Sequence, residues 1–429
     1  MPNKLDETIG ALGYAKVLVT LSDGAAASMN ANVALAENFI LPPQSAALAA
    51  TTTEMANLAA VATPQRMKVY PNLGLALGIT DAAGAAALRA SAAVHKIDEA
   101  PELSLIRPVD VHAAPPQALA AAATQTWGLR RIGAQHLWAL GFRGAGVRVA
   151  HLDTGVDGQH PAFAGAIAAY AEFDWMGNQV PGAAPHDTGN HGTHTAGTIL
   201  GRGDGPTGAF GVAPEAMLIS ATVIEGGQVI DRILAGMDWA IGQNARILNM
   251  SLGLRGFTSA FQVVVDALRA RNVLPVIAVG NEGPNTSRSP GNYANVLSIG
   301  AMSEAETVAA FSGSQTFDRM DDRLVPDLVG PGVDVVSAMP GGGFGVMSGS
   351  SMATPHIAGL AALLAQAAPG ATATKLEKAI LQSCVRPGTM SEDRANRGVP
   401  DGLRALQALG VAIPAAASAP ARTKKASKK

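Results

Sequence analysis

Beyond residue 127, short apolar runs rich in Val, Ile and Leu alternate with segments of helical periodicity. Because these runs are mostly apolar and β-branched rather than apolar at every second position, they predict strands that are covered on both faces. Strands that alternate with helices indicate βαβ units, and therefore an α/β fold with a mostly parallel sheet and helices on both faces. The predicted strands span residues 147–152, 217–223, 245–250, 274–279 and 296–301, and the predicted helices include 229–243, 260–272 and 401–409.

The first 109 residues follow another pattern, in which two helical stretches alternate with strand-like runs at 16–21, 66–70, 73–78 and 94–99. Asp81 precedes the second helical stretch, residues 82–90, at the position of an N-cap. The resulting order β-α-β-β-α-β is that of the ferredoxin-like split βαβ unit. We therefore expect a small α+β domain over residues 1–109, an Ala- and Pro-rich linker over 110–126, the α/β domain over 127–411 and a disordered basic tail over 412–429.

The composition argues against several classes of protein. Hydrophobic residues make up 48% of the 429 residues and charged residues only 15%, which excludes a mainly disordered chain. The net charge of −2 argues against a nucleic-acid partner, and no apolar run reaches the roughly 18 residues of a membrane-spanning helix. The N-terminus lacks the pattern of a secretory signal, so we expect a cytoplasmic protein by default, with non-standard export left open. The one cysteine, Cys384, forms no internal disulfide and is expected to be buried and inert.

Three short segments carry residues suited to acid–base and nucleophilic chemistry. Asp153 ends a predicted strand in the sequence HLDTG, although an aspartate at this place is often only a helix cap. His191 lies among small residues in NHGTHTAGT, where a lone histidine is often structural. Ser351 lies in SGSSMATPHIAG before a helical run at 357–368, where a serine can also be an ordinary N-cap. His191 and His194 are three residues apart with no glutamate between them, so no metal site is predicted.

The three segments are more specific in combination than singly. A serine hydroxyl becomes a nucleophile when a histidine takes its proton, and the histidine needs a carboxylate that fixes its tautomer and stabilises its charged form. The chain order Asp153, His191, Ser351 is one of those in which such a triad occurs. The sequence therefore predicts a hydrolase in which Ser351 is the nucleophile, His191 the base and Asp153 the group that orients His191.

These segments resemble those of the subtilases, the family of subtilisin-type serine proteases. The motifs DTG at Asp153, HGTH at His191 and GSSMATPH at Ser351 are similar to those of the family, with Ser350 in place of its usual threonine. Four further blocks match in order, namely GVAP at 211–214, NMSLG at 249–253, VGNEG at 279–283 and PDLVGPG at 326–332. The resemblance covers roughly residues 127–409 and implies a subtilisin-like fold and a serine endopeptidase that acts on polypeptide substrates.

The resemblance also implies roles for further residues. Asn281 would supply one donor of an oxyanion hole, and the backbone N–H of Ser351 would supply the second. An extended substrate would pair with the protease backbone by β-strand addition. The residues expected to bind the substrate are Ser251, Leu252, Gly253 and Gly280, together with a second pairing edge near Gly226 and Gly227.

Residues 69–78 and 95–106 resemble an inhibitor-type propeptide of the same family. Such a domain assists folding of the protease and then blocks the active site with its C-terminal strand. The segment 102–109, or the linker after it, would therefore lie in the substrate cleft. We expect a self-inhibited, self-processing precursor whose partner is its own N-terminal domain, and the alternative is an unrelated docking domain.

The sequence departs from the family pattern at the usual strong calcium site. A ligand aspartate of many members falls here at Ala162, and the loop 201–210 offers one carboxylate, Asp204, whereas Ca²⁺ takes about 6–8 oxygens. No cofactor is therefore expected to be required, and weaker calcium sites are left open. Arg288 falls where the resemblance places the floor of the pocket for the residue before the scissile bond. There it would favour acidic or small residues, unless it is a solvated loop side chain.

Two alternatives to a broad endopeptidase are open at this stage. One is a peptide-maturation protease dedicated to a single partner substrate, which would leave casein intact. The other is an inactive subtilisin-like binding protein, which would fail to react with a fluorophosphonate probe.

Overall fold

The computed structural model describes residues 4–41, 66–113, 125–203, 209–224 and 229–412. The strands are β1 (Ala15–Leu21), β2 (Met67–Tyr70), β3 (Leu75–Thr80), β4 (Val94–Glu99), β5 (Ser104–Leu105), β6 (Asp110–Ala113), β7 (Arg148–Asp153), β8 (Ile167–Glu172), β9 (Met217–Thr222), β10 (Ile247–Met250), β11 (Leu252–Arg255), β12 (Leu274–Ala278), β13 (Arg288–Ser289), β14 (Leu297–Met302), β15 (Gln315–Thr316), β16 (Leu324–Val325), β17 (Leu328–Pro331), β18 (Val335–Met339) and β19 (Gly343–Ser348). The helices are α1 (Lys4–Leu12), α2 (Met29–Ala36), α3 (Ala82–Ala90), α4 (Trp127–Arg131), α5 (Ala134–Ala139), α6 (His191–Leu200), α7 (Ile230–Gly242), α8 (Gln262–Ala270), α9 (Ser350–Ala367), α10 (Ala373–Ser383), α11 (Glu392–Ala395) and α12 (Gly402–Ala408). Residues 413–429, nearly all of the predicted tail, lie outside the described ranges.

Seven parallel strands form the central sheet, in the order β17-β14-β12-β10-β7-β9-β8. Successive residues of its strands enter two different hydrophobic clusters. Val149 of β7 packs in the cluster that contains residues of α6 and α9, whereas Ala150 and Leu152 pack in the one that contains residues of α7 and α8. Helices therefore cover both faces of the sheet, which explains why apolar residues occupy successive positions of its strands. The predicted α/β fold is confirmed.

The N-terminal part forms a four-stranded antiparallel sheet in the order β2-β3-β1-β4, and residues of α2 and α3 share a hydrophobic cluster with β1. This confirms the predicted ferredoxin-like arrangement. Asp81 caps α3, since its carboxylate accepts the N–H of Gly84 at 2.8 Å. This part packs against α7. The carboxylate of Asp238 accepts the backbone N–H groups of Asn72 and Leu73 at 2.7 and 3.1 Å.

Two elements differ from the sequence-based expectation. Residues 110–113 of the predicted linker form β6, which pairs antiparallel with β19. The helix of the third segment begins at Ser350 rather than at residue 357, and Pro355 lies inside it. A proline has no N–H for the carbonyl four residues earlier, and this carbonyl, on Ser351, accepts the hydroxyl of Ser251 at 3.3 Å instead.

None of the helices in the described ranges combines the length and hydrophobicity needed to cross a membrane. Cys384 follows α10 and is partly rather than fully buried. Burial raises the pKa of its thiol to about 12, and a thiol that does not ionise is a poor nucleophile. This agrees with the expectation of an inert cysteine.

Candidate active site

Asp153 and His191 meet at the carboxyl end of the parallel sheet. Asp153 is the last residue of β7 and His191 is the first residue of α6. His191 Nδ1 lies 2.7 Å from Asp153 Oδ1, which also accepts the backbone N–H of Thr154 at 2.8 Å. Because a carboxylate oxygen accepts, Nδ1 carries the proton, and Nε2 of the neutral ring keeps its lone pair.

Both side chains of this pair are shielded from solvent, since Asp153 is 0% exposed and His191 2%. Burial by itself would raise the pKa of Asp153, but the charge and hydrogen bond of His191 outweigh it, so the pKa lies below its ordinary value. Asp153 is therefore ionised at neutral pH. Nε2 of His191 is buried and has no hydrogen-bond partner within the described ranges, so Ser351 Oγ is not hydrogen-bonded to it in this structure. The Ser351 hydroxyl instead lies 3.4 Å from Met352 Sδ.

Ser351 is the second residue of α9, and Gly349 lies two positions before it, at the N-cap of the helix. A β-carbon on Gly349 would lie 2.9 Å from Ser351 Oγ and 3.1 Å from Asn281 Nδ2. The two polar atoms therefore face one small space, which only glycine leaves open. Asn281 Oδ1 accepts the N–H of Ser350 at 2.8 Å, so the amide is held with its Nδ2 donor turned towards that space. Helix α9 packs against α6, which begins with His191.

An extended segment of the chain itself, residues 104–113, runs through this site. On one side β5 pairs antiparallel with β11, and on the other side β6 pairs with β19. Between the two strand pairs, the carbonyl oxygen of Arg107 accepts a hydrogen bond from Asn281 Nδ2 at 2.9 Å. A peptide carbonyl therefore already occupies the donor that was expected to hold an oxyanion.

Three of the residues that were expected to bind substrate contact this segment. The carbonyl of Ser251 accepts the N–H of Ile106 at 2.9 Å. The strand register pairs Leu252 with Leu105, and Gly253 with the residue before it. The contacts are those of β-strand addition, in which main-chain bonds hold an extended peptide.

The other expected substrate-binding residues are placed differently. The N–H of Gly280 donates to Ser350 Oγ at 3.3 Å, so Gly280 contacts the start of α9. The φ of Gly280 is +119°, a left-handed conformation that favours glycine. Gly226 and Gly227 lie outside the described residues, so the second pairing edge stays a prediction.

Arg288 is 7% exposed and is therefore not a solvated loop residue. Its guanidinium forms an ion pair with Glu282, and its Nη1 donates to Ser104 Oγ at 3.1 Å and to the Gly253 carbonyl at 3.0 Å. Burial alone would raise the pKa of Glu282, but Arg288 lowers it below its ordinary value. Glu282 also pairs with the exposed Arg255, so its carboxylate is shared between two guanidinium groups. The further hydrogen bonds of Arg288 go to Ser104 and Gly253, so an acidic preference beside the scissile bond stays a prediction. The hydrogen bond to Ser104 points to a different position of the bound chain.

The position expected for a calcium ligand carries no side-chain oxygen. Ala162 is buried, and its N–H donates to His160 Nδ1 at 3.1 Å. Asp204 lies outside the described residues. Within those residues, no group of three or more His, Cys, Asp or Glu side chains is arranged to hold a metal ion. Calcium binding therefore stays a prediction without a donor set to support it.

Sequence reasoning missed a polar pair behind Asp153. His151 of β7 is fully buried and lies 2.8 Å from the hydroxyl of Thr195 on α6. A histidine inside an otherwise apolar strand was the available signal. The neighbouring His194 has a structural contact instead, because its Nε2 donates to the carbonyl of Val335 at 2.9 Å.

Comparison with known proteins agrees with this geometry. Residues 144–407 match the subtilase family, peptidase S8. The chain belongs to the subtilase family. It is 36% identical over 248 residues to subtilisin from Bacillus pumilus, a match that covers 56% of this chain and 83% of that protein. It is 37% identical over 246 residues to subtilisin BL from Lederbergia lenta, which covers 57% of this chain and 85% of the relative.

A third subtilase relative matches a longer stretch of this chain. The subtilisin-like protease PopC of Myxococcus xanthus is 34% identical over 294 residues, or 61% of this chain and 60% of PopC. The family membership identifies the chain as a serine peptidase.

Proposed function

We propose that this subtilase is a serine endopeptidase made as a self-inhibited precursor. The observation that carries the proposal is the hydrogen bond from Asn281 Nδ2 to the carbonyl oxygen of Arg107. A substrate carbonyl must reach the same donor when its oxygen becomes negative. The N-terminal part therefore presents its own chain to the site as a substrate would.

In the proposed reaction, Ser351 Oγ attacks the scissile carbonyl carbon while its proton moves to His191 Nε2. Asp153 keeps the Nδ1–H of His191 in place and stabilises the imidazolium. The negative oxygen accepts hydrogen bonds from Asn281 Nδ2 and the N–H of Ser351. The C–N bond then breaks, and His191 returns the proton to the leaving amine. Water attacks the acyl ester in the same way and releases the acid and free Ser351.

The course of the bound segment supports cleavage within a chain rather than at its end. Backbone pairing extends to both sides of the site, through β5 with β11 and through β6 with β19. Val109, just beyond Arg107, donates its N–H to the carbonyl of Ser348 at 2.9 Å. A cleft that is open and paired on both sides accepts the interior of a polypeptide.

The contacts of the N-terminal part support its role as an inhibitor. The bound segment directly follows β4 of the ferredoxin-like sheet, and that sheet packs on α7 of the protease. Lys16 of β1 forms an ion pair with the buried Asp231 of α7, and Tyr70 donates to the Asp231 carbonyl at 3.2 Å. The docked sheet would hold the segment at high local concentration in the cleft.

The test is to express the chain and its Ser351→Ala variant side by side and to follow both on a denaturing gel. We expect the wild type to lose its N-terminal part and Ser351→Ala to stay full length. Ser303→Ala, which removes a serine hydroxyl away from the site, is the matched control and should be processed like the wild type. Processing of Ser351→Ala at the wild-type rate would contradict the assignment of the nucleophile.

If neither chain is processed, a fluorophosphonate probe decides between the functions. Labelling of the wild type but not of Ser351→Ala would support a reactive serine that needs another factor for processing. No labelling, even after an added protease has digested the N-terminal part, would favour the inactive binding protein. Digestion of casein by the processed wild type would distinguish a broad endopeptidase from a protease dedicated to one partner.

A further inference from the structure

A chain of buried polar side chains leads from the interior of the sheet to the carboxylate of Asp153. We propose that His151 and Thr195 are positioning residues, which keep Asp153 ionised and aimed at His191 through hydrogen bonds that start at Ser220. The inference rests on the proposed triad, because both residues would act only through Asp153.

The chain of contacts is continuous and buried. Ser220 Oγ lies 3.0 Å from His151 Nδ1, and His151 Nε2 lies 2.8 Å from Thr195 Oγ1. Thr195 Oγ1 lies 3.3 Å from Asp153 Oδ2, whereas His191 and Thr154 bind the other oxygen, Oδ1. Within the described ranges, Thr195 is the one hydrogen-bond partner of Oδ2. Ser220, His151, Thr195 and Asp153 are all 0% exposed.

The secondary structure brings these groups together. His151 and Ser220 are direct neighbours in the parallel pair of β7 and β9. His151 and Asp153 are two residues apart on one strand, so their side chains point to the same face. Thr195 follows His191 by four residues on α6, so both side chains lie on one side of the helix.

The direction of the hydrogen bonds follows from the charges. Burial lowers the pKa of His151 against the opposing effect of Asp153, so the ring is neutral, and the other titratable groups that face it are Asp187 and His191. A neutral imidazole donates from one nitrogen and accepts at the other. If Nε2 accepted the hydroxyl proton of Thr195, no proton would be left for Asp153. The threonine oxygen would then face the ionised carboxylate with its lone pairs, which is repulsive. With the proton on Nε2, His151 donates to Thr195, Thr195 donates to Oδ2, and Ser220 donates to Nδ1.

The hydroxyl of Thr195 has two further acceptors within reach. The carbonyls of His191 and Gly192 lie 3.1 and 3.2 Å from Oγ1. A charged acceptor forms the stronger bond, so the carboxylate is favoured. When the hydroxyl of Thr195 donates to a helix carbonyl instead, the Nε2–H of His151 still attracts Asp153 Oδ2. These two atoms, Nε2 and Oδ2, are 3.8 Å apart.

This arrangement predicts how its loss would change catalysis. Without a donor at Oδ2, more of the negative charge of Asp153 acts on His191, so the imidazolium keeps its proton to a higher pH. The carboxylate would also be held less firmly, so kcat would fall. Within the described ranges, no hydrogen bond joins Thr195 or His151 to the segment in the cleft, so KM should stay unchanged.

The experiment measures kcat, KM and the pH profile of kcat/KM with a peptide anilide, on each chain expressed in full and checked on a gel for loss of its N-terminal part. Thr195→Val replaces the hydroxyl with a methyl group of the same shape. We expect kcat to fall about tenfold, the acid limb to move to higher pH by about half a unit, and KM to change less than about twofold. Thr195→Ser, which keeps the hydroxyl, should restore both quantities. His151→Leu should have an effect in the same direction that is not additive with Thr195→Val.

Thr198→Val is the matched control. It removes a buried hydroxyl from the same helix, and the one hydrogen bond of this hydroxyl within the described residues goes to the carbonyl of His194 at 3.0 Å. The proposal would be overturned if Thr198→Val changed kcat and the acid limb of the pH profile as much as Thr195→Val does. It would also be overturned if the acid limb of Thr195→Val were that of the wild type. If Thr195→Val does not fold, Ser220→Ala takes its place, and a wild-type acid limb there would overturn it too.

Failure of the triad is recognised separately. Labelling by a fluorophosphonate reports the reactivity of Ser351 in the wild type. A wild type that is not labelled after its N-terminal part has been removed would take away the basis of both proposals. A labelled wild type beside an unchanged Thr195→Val would remove only the role of the buried chain.

Discussion

Asn281 donates its side-chain N–H to the carbonyl oxygen of Arg107, a residue 174 positions earlier in the chain, at 2.9 Å. The orientation of this side-chain amide is fixed by a second hydrogen bond, in which its oxygen accepts the N–H of Ser350. One donor therefore serves two proposed purposes. It binds the carbonyl of Arg107 in the segment that we propose to be inhibitory, and it would bind the oxyanion during turnover.

The first prediction concerns this donor. Asn281→Leu keeps the size of the side chain but removes the N–H, so kcat should fall about 100- to 1000-fold with little change in KM. The measurement is steady-state hydrolysis of a peptide anilide. The control is Asn285→Gly, an exposed position with φ of +61° that glycine accepts without strain. An increase in KM with kcat unchanged would show that Asn281 binds the ground state and the transition state equally.

The second prediction concerns Pro108, which follows the carbonyl held by Asn281. The peptide nitrogen of a proline carries a ring carbon in place of a hydrogen. The ring would crowd the nitrogen that His191 has to protonate, so the Arg107–Pro108 bond should resist cleavage. Pro108→Ala should therefore speed the loss of the N-terminal part, as followed on a gel.

The control for Pro108 is its neighbour. Val109→Ala shortens a side chain that is 49% exposed and leaves the proline in place. It should be processed at the wild-type rate. If Pro108→Ala is processed no faster, the bond that is cut lies elsewhere in the segment, and N-terminal sequencing of the product identifies it.

The third prediction concerns Arg288. Its Nη1 donates to Ser104 Oγ, and its guanidinium pairs with Glu282, which Arg255 also contacts. We expect a preference for side chains that accept a hydrogen bond at the substrate position occupied here by Ser104. Cleavage of a peptide panel varied at that position should show a several-fold preference for Ser, Thr or Asn over Ala. The preference should vanish in Arg288→Met, which keeps an unbranched side chain without the donor.

The same panel tests the earlier idea about Arg288. A gain for Asp or Glu immediately before the scissile bond, lost in Arg288→Met, would show that the guanidinium acts there in spite of its pairing with Glu282. An unchanged profile at both positions would leave Arg288 with a role in holding β11 alone, through the carbonyl of Gly253.

The fourth prediction concerns stability in acid. Burial lowers the pKa of His194 to about 3 and that of His356 to about 4, from 6.5 for an ordinary histidine. Below about pH 6.5 both histidines become protonated in the unfolded chain but stay neutral in the folded chain. The free energy of unfolding should therefore be insensitive to these groups at higher pH. It should fall by up to about 1.4 kcal/mol per pH unit for each as the pH drops towards those values.

Urea unfolding of Ser351→Ala, in which self-digestion is absent, provides the measurement between pH 8 and pH 4. His194→Gln in this background should flatten the decline below pH 6.5, while lowering stability at pH 8. His136→Gln, at an exposed histidine, is the control and should leave the slope as it is. An unchanged slope in His194→Gln would show that His194 takes up its proton in the folded state.

Several features were accessible from the sequence because the information is local. Apolar runs without alternation predicted a sheet covered on both faces, and Val149 and Ala150 do enter opposite clusters. Asp81 was identified as a cap from its place before a helical pattern. The start of α9 was missed, because a proline normally ends a helix and the partner that replaces its missing bond, Ser251, lies 100 residues away from Ser351.

By itself, the sequence determined the fold class, the family and the identity of the residues that could carry the chemistry, since periodicity and short motifs are properties of contiguous residues. The tertiary structure alone decided which carbonyl meets Asn281, which carboxylate pairs with Arg288, and that His151 reaches Asp153 through Thr195. Each of these depends on the register between segments that are distant or differently folded. Hydrogen bonds and ion pairs act over a few ångströms of space, whatever the separation along the chain.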